Sequence, residues 1–468
     1  MRRSQLETNL RTVVWARLLL ILALLLPLVI LFLLPGGALV RGGPWFWLVL
    51  LLCFSVIWAL LAPSPRAAER APEPAFQVLP LAEEQPEVVR EVMDVGLATQ
   101  RAGVRTFQGR LREPAVTAYD KLRRASPEGT VPLLQEDERH GAVIVLLPRP
   151  VEERTLERPG RPWVNALLFG LTVLTTTWAG AAQQGVDLLQ NPGQFAVGLP
   201  YALGLLAILG VHELGHYVAA RRHGIHVTLP YFIPVPFALG TFGAFIQMRS
   251  SAENRSALFD VAVAGPLAGL AVAIPLLLIG LQSSAVVPGQ VVGGRLTTPG
   301  EPAAPEEAAP PVIVGGTSAG SSLLLALLAQ LALPEALRYG CVLQFSPLAF
   351  AGWLGLFITG LNLMPVGQLD GGHTVRALFG HRVGRAISSV ALWSLLLLGL
   401  FVWRGLLMWA ILAFFIAGNP TPPLDDLTPL TPGRRWLGYV TLGLLLLILV
   451  PLPPELWPAV GLHCPYVR

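Results

Sequence analysis

Residues 206–224 read LAILGVHELGHYVAARRHG, a largely apolar stretch that carries two histidines and a glutamate. Because positions i and i+4 of a helix lie on one face, His212 and His216 point the same way, with Glu213 beside them. This H-E-x-x-H spacing is typical of zinc hydrolases. Each ionisable side chain at bilayer depth costs about 2.5 to 3.5 kcal/mol on insertion scales. The stretch therefore predicts a metal site inside a membrane helix. The two arginines that follow allow another interpretation, in which the histidines lie at the membrane surface and are solvated.

The composition is that of a membrane protein, because 53% of the 468 residues are hydrophobic and only 13% are charged. A typical soluble domain is about 25% charged, and a membrane-spanning helix needs about 20 mainly apolar residues. We therefore expect an all-α polytopic membrane protein with about eight to nine transmembrane helices. The net charge of +4 gives no reason to expect a nucleic-acid partner. Nine stretches qualify as spans: 18–34, 45–62, 163–182, 197–220, 257–281, 346–364, 386–402, 405–418 and 436–452.

The arginines set the predicted orientation and the division into domains. They concentrate in segments that fall on one side if the nine helices alternate, and the positive-inside rule makes that side the cytoplasm. We expect a multi-pass protein of a bacterial-type plasma membrane, with the HELGH site near the cytoplasmic side. The predicted parts are a two-helix membrane hairpin (1–63), a cytoplasmic α+β domain (64–160), a membrane core with the metal site (161–385, including an extracytoplasmic loop at 283–345) and C-terminal transmembrane helices (386–468).

The predicted cytoplasmic domain is polar and opens on a linker rich in proline and alanine. Its pattern predicts helices over 83–100 and 115–125 and strands over 104–111, 131–135 and 142–147. It contains no cluster of metal ligands or nucleophiles. We therefore favour a solvated appendage over a second active site, and a regulatory or substrate-docking role stays open.

A catalytic zinc site usually has three protein ligands and an open fourth position, so a third ligand must come from another segment. The stretch NLMPVGQLDGGH at 362–373 offers Asp370 between a proline-broken helix end and two glycines. Irregular backbone at membrane depth is tolerated only around a protein-lined or aqueous cavity. Asp370 is therefore the preferred third ligand, with His373 as a weaker substitute. His223 and His226 have the wrong spacing for the same helical face.

The motifs HELGH, FDVAVAGPLAG and NLMPVGQLDGG, in this order, resemble the site-2 protease family of intramembrane zinc metalloproteases. The stretches GTFGAFIQM and SSLLLALL, together with a soluble domain before the core, resemble its plastid and cyanobacterial-type branch. The resemblance covers roughly residues 163–385. One departure lies in the soluble domain, where that branch has Gly-Asn-Leu-Arg and this chain has Gly109, Arg110, Leu111 and Arg112.

The resemblance implies one zinc ion per chain, held by His212, His216 and Asp370, with Glu213 as general base. This agrees with the assignment made from the residues alone. The resemblance also suggests that Asn362 donates a hydrogen bond to the oxyanion of the transition state. A polar residue that packs helices together is the other interpretation of this asparagine.

A substrate at this depth would be a transmembrane helix, which must be unwound before water can attack its peptide bonds. Residues 241–248 alternate well enough to form a strand that pairs with an unwound substrate by β-addition. The same stretch can instead be part of a re-entrant β-hairpin near the active site, without a docking role. The candidate substrate-binding residues are Gly240, Thr241, Phe242, Gly243 and Ala244.

The sequence therefore predicts an intramembrane zinc metalloprotease whose partners are a transmembrane-protein substrate and the lipid bilayer. One alternative is a membrane-anchored zinc peptidase that acts on soluble or interfacial peptides, and another is a transporter-like protein. The oligomeric state and the identity of the substrate stay open. The three cysteines do not suggest a disulfide framework, and a bridge between Cys341 and Cys464 is left open by the predicted topology.

Overall fold

The protein is mostly helical, with a small sheet domain before the apolar helices. The computed structural model describes residues 77–78, 86–101, 104–126, 130–137, 141–148, 162–235, 239–288, 290–292, 295–297, 322–334, 341–401, 410, 413–414, 422–449 and 466–467. Its helices are α1 (Glu87–Val92), α2 (Ala115–Ala125), α3 (Pro162–Gln183), α4 (Leu199–Arg222), α5 (Arg255–Gln282), α6 (Leu323–Ala332), α7 (Pro347–Asn362), α8 (Asp370–Phe401) and α9 (Pro432–Leu449). Its strands are β1 (Gln77–Val78), β2 (Met93–Arg101), β3 (Val104–Leu111), β4 (Thr130–Asp137), β5 (Gly141–Pro148), β6 (Tyr231–Pro234), β7 (Thr241–Phe245), β8 (Ala285–Pro288), β9 (Gln290–Val292), β10 (Arg295–Thr297), β11 (Cys341–Gln344) and β12 (Tyr466–Val467).

Four helices of the described part of the chain are long and apolar enough to cross a membrane: Pro162–Gln183, Pro192–Arg222, Arg255–Gln282 and Asp370–Leu400. The second includes a short 3₁₀ turn, Pro192–Gly198, before α4. These helices carry large apolar side chains on their exposed surfaces, such as Leu174 on α3 and Trp393 on α8. Exposed apolar faces of this kind suit a lipid environment, and the chain is an integral membrane protein.

The remaining predicted spans have different outcomes. Helix α7 has 16 residues and α9 has 18, and residues 386–401 of the predicted span at 386–402 lie in the part of α8 that follows a break in helical geometry at Gly380. Helix α8 is kinked at Gly380, whose φ of 83° lies in the left-handed region that favours glycine. The predicted spans at 18–34 and 45–62, and almost all of 405–418, lie outside the described residues.

Helices α4, α5 and α7 pack together at the centre of the membrane core. The approach of α5 to α7 is close enough that a Cβ atom on Gly280 would lie 2.2 Å from the backbone nitrogen of Ala349. Small residues permit this kind of backbone contact between membrane helices. The packing fixes the positions of the two helices that flank the HELGH segment.

The segment predicted to be the soluble domain contains an antiparallel five-stranded sheet in the order β1-β2-β3-β5-β4, with α1 and α2 packed against it. The α+β prediction for this segment holds, but the helix predicted over 83–100 is wrong beyond Val92. Strand β2 pairs with β3 from Met93 opposite Leu111 to Arg101 opposite Val104. This pairing satisfies the backbone hydrogen bonds and buries Met93, so tertiary contacts override the local helical pattern.

Candidate metal centre

The two histidines of HELGH lie on the buried face of α4, as the i, i+4 spacing predicts. His212, Glu213 and His216 are all buried. The Nε2 atoms of the two imidazoles are 3.1 Å apart. The helix thus aims two nitrogen donors at one point.

Asp370 reaches the same point from the start of α8. Helix α7 ends at Asn362, and an irregular segment at 363–369 leads into α8. This segment folds back so tightly that a Cβ atom on Gly371 would lie 1.8 Å from the carbonyl oxygen of Leu363. The two glycines after Asp370 are therefore what allows the carboxylate to enter the site.

The three donor atoms are spaced as ligands of one tetrahedral metal ion. The Asp370 Oδ2 atom is 3.4 Å from His212 Nε2 and 3.3 Å from His216 Nε2. Ligand atoms about 2.1 Å from a tetrahedral zinc ion lie roughly 3.4 Å apart. Two imidazole nitrogens and one carboxylate oxygen, with a fourth position left for water, form a donor set that suits catalytic zinc. In the described part of the chain, this is the one group of three such residues that fits a metal ion.

Helix α5 supports the His216 imidazole from behind. The Nδ1 atom of His216 lies 2.8 Å from the carbonyl oxygen of Val261. Because a carbonyl only accepts, Nδ1 carries the proton and the Nε2 lone pair is available for a metal. A Cβ atom on Gly265 would lie 2.1 Å from His216 Nε2, and one on Gly269 would lie 3.1 Å from His212 Nδ1. The small residues of AGPLAG therefore make room for the imidazoles as well as for helix packing.

Glu213 and Asn362 flank the three ligands. The carboxylate of Glu213 faces the backbone amide of Ile246, just after β7. The Nδ2 atom of Asn362 lies 3.4 Å from His212 Nε2, the atom directed at the metal position. An acid-base group and an amide donor thus both adjoin the point where the ligands converge.

Strands β6 and β7 form an antiparallel hairpin beside α4 and pair only with each other in the described part of the chain. One long edge of β7 therefore faces no described strand. The candidate substrate-binding residues have different environments within this hairpin. Gly240 lies against α3, where its carbonyl accepts a hydrogen bond from Thr175 Oγ1, and Thr241 is buried and bonds to Ile233 O.

The next three positions of β7 differ in how exposed they are. Phe242 is 74% exposed, Gly243 is buried with a φ of 100°, and Ala244 is half-buried. A φ of 100° strongly favours glycine. Gly240, Thr241 and Gly243 thus build the hairpin, and Phe242 is the side chain that β7 presents most fully to a neighbour.

The other candidate histidines are not part of the metal group. His223 is hydrogen-bonded to Asp260 at 2.9 Å, His226 lies in an extended segment next to residues 247–249, and His373 is not among the grouped ligands. The sequence did not predict the contacts of Val261, Gly265 and Gly269 with the imidazoles. Small-residue spacing in AGPLAG was a signal for the two glycines, but no side-chain pattern marks a carbonyl such as that of Val261.

Fold and site define an integral membrane protein with a His-His-Asp metal centre whose two histidines are buried. Residues 200–402 match the model of peptidase family M50. This stretch is thus similar to the site-2 protease family, and the comparisons support its plastid-type branch.

Similar proteins include two plant proteins named probable zinc metalloprotease EGY2, chloroplastic. The chain is 31% identical to the one from Arabidopsis thaliana over 366 residues, which is 74% of this chain and 60% of the relative. It is 32% identical to the one from Oryza sativa subsp. indica over 362 residues, 74% of this chain and 61% of the relative. The probable zinc metalloprotease EGY1, chloroplastic, of Arabidopsis thaliana is 35% identical over 267 residues, 56% of this chain and 45% of the relative. The chain thus spans about 60% of the length of the EGY2 relatives.

Proposed function

We propose that this protein is an intramembrane zinc metalloprotease that hydrolyses peptide bonds in or near transmembrane segments of other membrane proteins. The observation that carries the proposal is the convergence of His212, His216 and Asp370 at 3.1 to 3.4 Å from one another. The match to peptidase family M50 and the names of the plant relatives support zinc as the metal.

Each polar group at the centre has a chemical role in this proposal. Zinc held by His212, His216 and Asp370 would polarise the peptide carbonyl and make water easier to deprotonate. Glu213 accepts the proton of the attacking water and passes it to the leaving amine. Asn362 Nδ2 donates a hydrogen bond to the oxygen on which negative charge develops. Val261 holds the His216 imidazole in one orientation and one tautomer throughout.

The position of the hairpin supports a substrate that is an unwound segment of a membrane helix. Ile246 directly follows β7, and its backbone amide faces the Glu213 carboxylate. The edge of β7 that faces no described strand would offer backbone hydrogen bonds to an extended chain. Phe242 and Phe245, both exposed on β7, suit an apolar substrate. A segment bound at this edge would lie beside the general base.

We infer that the site lies near the cytoplasmic side, in agreement with the distribution of arginines. Backbone hydrogen bonds join Leu134 of the soluble domain to Leu424 and Asp426, and Asp426 pairs with Arg376 of α8. Arg376 follows Asp370 by six residues, about 9 Å along a helix. The metal centre therefore lies about two turns from the side that carries the soluble domain. The plant relatives are named chloroplastic, and a bacterial-type plasma membrane stays a prediction for this chain.

A test co-expresses the wild type, Glu213→Gln and His223→Ala with a panel of single-span membrane proteins. We expect fragments with the wild type and with His223→Ala, whose imidazole bonds to Asp260 away from the metal group, and none with Glu213→Gln. Zinc is measured on the same purified proteins, because Glu213→Gln should retain the metal while losing cleavage. Identical fragment patterns in all three would contradict the proposal.

The geometry disfavours the first of the two alternatives, and an assay distinguishes the second. A membrane-anchored peptidase that cuts soluble peptides usually takes its third ligand from outside the membrane helices, whereas Asp370 begins a helix that qualifies as a span. Zinc retained in Asp370→Ala would favour that peptidase. A transporter predicts substrate movement in vesicles without any dependence on zinc.

A further inference from the structure

The first ten residues of α8 form a short helical segment that carries Asp370 at one end. The kink at Gly380 separates this segment from the rest of α8. Its far end is held by Arg255 of α5, whose Nε donates to the carbonyl oxygen of Ala377 at 3.0 Å. A second nitrogen of Arg255 lies 3.4 Å from the carbonyl oxygen of Arg376. A segment of this length moves largely as a rigid unit, so its far end influences where Asp370 points.

The same far end carries an ion pair that the proposed chemistry does not use. Arg376 Nη2 lies 2.9 Å from Asp426 Oδ2, and the two side chains are 8% and 4% exposed. Removing one partner of a buried pair leaves an uncompensated charge, so such pairs constrain the position of the groups that carry them. Asp426 lies outside the membrane core and therefore restrains, through Arg376, the helical segment that carries Asp370.

Asp426 belongs to a short extended stretch, residues 424–426, which we call the strap. On one side the strap pairs with β4, since Leu134 donates to Leu424 O at 2.7 Å and Asp426 donates to Leu134 O at 2.9 Å. On its other side Leu424 donates to Ala252 O and Asp425 to Glu253 O, each at 2.9 Å. The strap thus extends the sheet of the soluble domain and joins it to the start of α5.

We propose that Arg376 and Asp426 are positioning residues for Asp370, and that the strap makes the metal site depend on the docked soluble domain. The inference rests on the proposed zinc centre. It adds a role for the soluble domain, because β4 is joined through the strap to the ion pair on the ligand-bearing helix.

The test compares Asp426→Asn with Asp425→Asn in the full-length protein. The two aspartates are neighbours, and both are buried. Asp425 Oδ1 accepts hydrogen bonds from the backbone amides of Leu427 and Thr428, and Oδ2 accepts one from the Thr428 hydroxyl. An asparagine keeps the accepting Oδ1, and the hydroxyl can turn to accept from its Nδ2. Zinc affinity is measured by competition with a chromogenic chelator. Backbone hydrogen exchange over 370–379 is measured on zinc-free protein.

We expect Asp426→Asn to bind zinc 10 to 100 times more weakly, as changes behind a metal ligand typically do, and to exchange faster over 370–379. Asp425→Asn should match the wild type in both readouts. Because a single substitution leaves Arg376 charged and buried, the double variant Arg376→Gln/Asp426→Asn supplies a neutral version of the pair. It should fold, as judged by thermal unfolding, and still bind zinc more weakly.

Wild-type zinc affinity and exchange in folded Asp426→Asn, or in the double variant, would overturn the inference. A wild-type protein that binds zinc but cuts no membrane substrate would refute the proposed protease and leave this inference intact. The exchange measurement needs neither zinc nor substrate, so it tests the positioning role separately.

Discussion

Replacing Gly265 by alanine should displace a metal-binding imidazole, although the same change in an ordinary helix is favourable by about 1 kcal/mol. The added Cβ atom would lie 2.1 Å from His216 Nε2, 2.4 Å from Cδ2 and 2.5 Å from Cε1. Carbon contacts are favourable at about 3.5 to 4.0 Å, so the ring or α5 must move by roughly 1 Å or more. Such overpacking typically costs about 1 to 3 kcal/mol, which outweighs the gain in helix propensity.

The displacement should break the Val261 hydrogen bond or turn Nε2 away from the metal. We expect Gly265→Ala to lower zinc affinity at least tenfold, in the range typical of disturbed support for a ligand, and to abolish cleavage. A series of three glycine-to-alanine variants tests whether steric contact is the cause. A Cβ on Gly269 would lie 3.1 Å from His212 Nδ1, and one on Gly170 would meet nothing within 4 Å. Zinc affinity by chelator competition should fall in the order Gly170→Ala, Gly269→Ala, Gly265→Ala. Wild-type zinc affinity in Gly265→Ala would refute the steric reasoning.

Three further substitutions, two of them with a control variant, separate metal binding, chemistry and substrate docking. Asp370→Ala should lose zinc, measured by elemental analysis, whereas His373→Ala should keep it because His373 lies outside the ligand group; the reverse pattern would show that the ligand is misassigned. Asn362→Ala should keep zinc and lower kcat by about 100- to 1,000-fold, and an unchanged kcat would make this asparagine a packing residue. Gly243→Ala strains a residue at φ 100° by about 1 to 3 kcal/mol and should weaken cleavage without loss of zinc. Gly185→Ala, at a comparable φ of 76° in a loop away from the hairpin, should leave cleavage unchanged, and equal losses in the two variants would argue against docking at β7.

The parts of the site that depend on local geometry could be predicted from the sequence. The i, i+4 spacing of His212 and His216 determines that they share a face in any helix. Asp370 could be inferred because broken backbone at membrane depth has few explanations. The first rule predicts the face of α4 that is directed at the metal, and the second predicts the irregular segment that precedes α8.

The parts that depend on distant partners could not be predicted in the same way. Residues 93–101 carry a helical pattern but form β2, because β3 follows them and supplies the pairing partner. The carbonyl of Val261 bonds to His216 only because α5 crosses α4 at that residue. The pairing of Asp426 with Arg376 joins positions 50 residues apart. None of these contacts has a signature in the neighbouring sequence.

The most direct test of the metal centre is zinc K-edge X-ray absorption on the purified wild-type protein. We predict one zinc ion with two imidazole nitrogens, and with oxygen in the remaining positions, at about 2.0 to 2.2 Å. Asp370→Ala should lose this signal or change its oxygen shell, because the carboxylate oxygen lies 3.3 to 3.4 Å from both Nε2 atoms. A spectrum with sulfur ligands or a single imidazole, or one that is identical in Asp370→Ala, would contradict a zinc ion held jointly by α4 and α8.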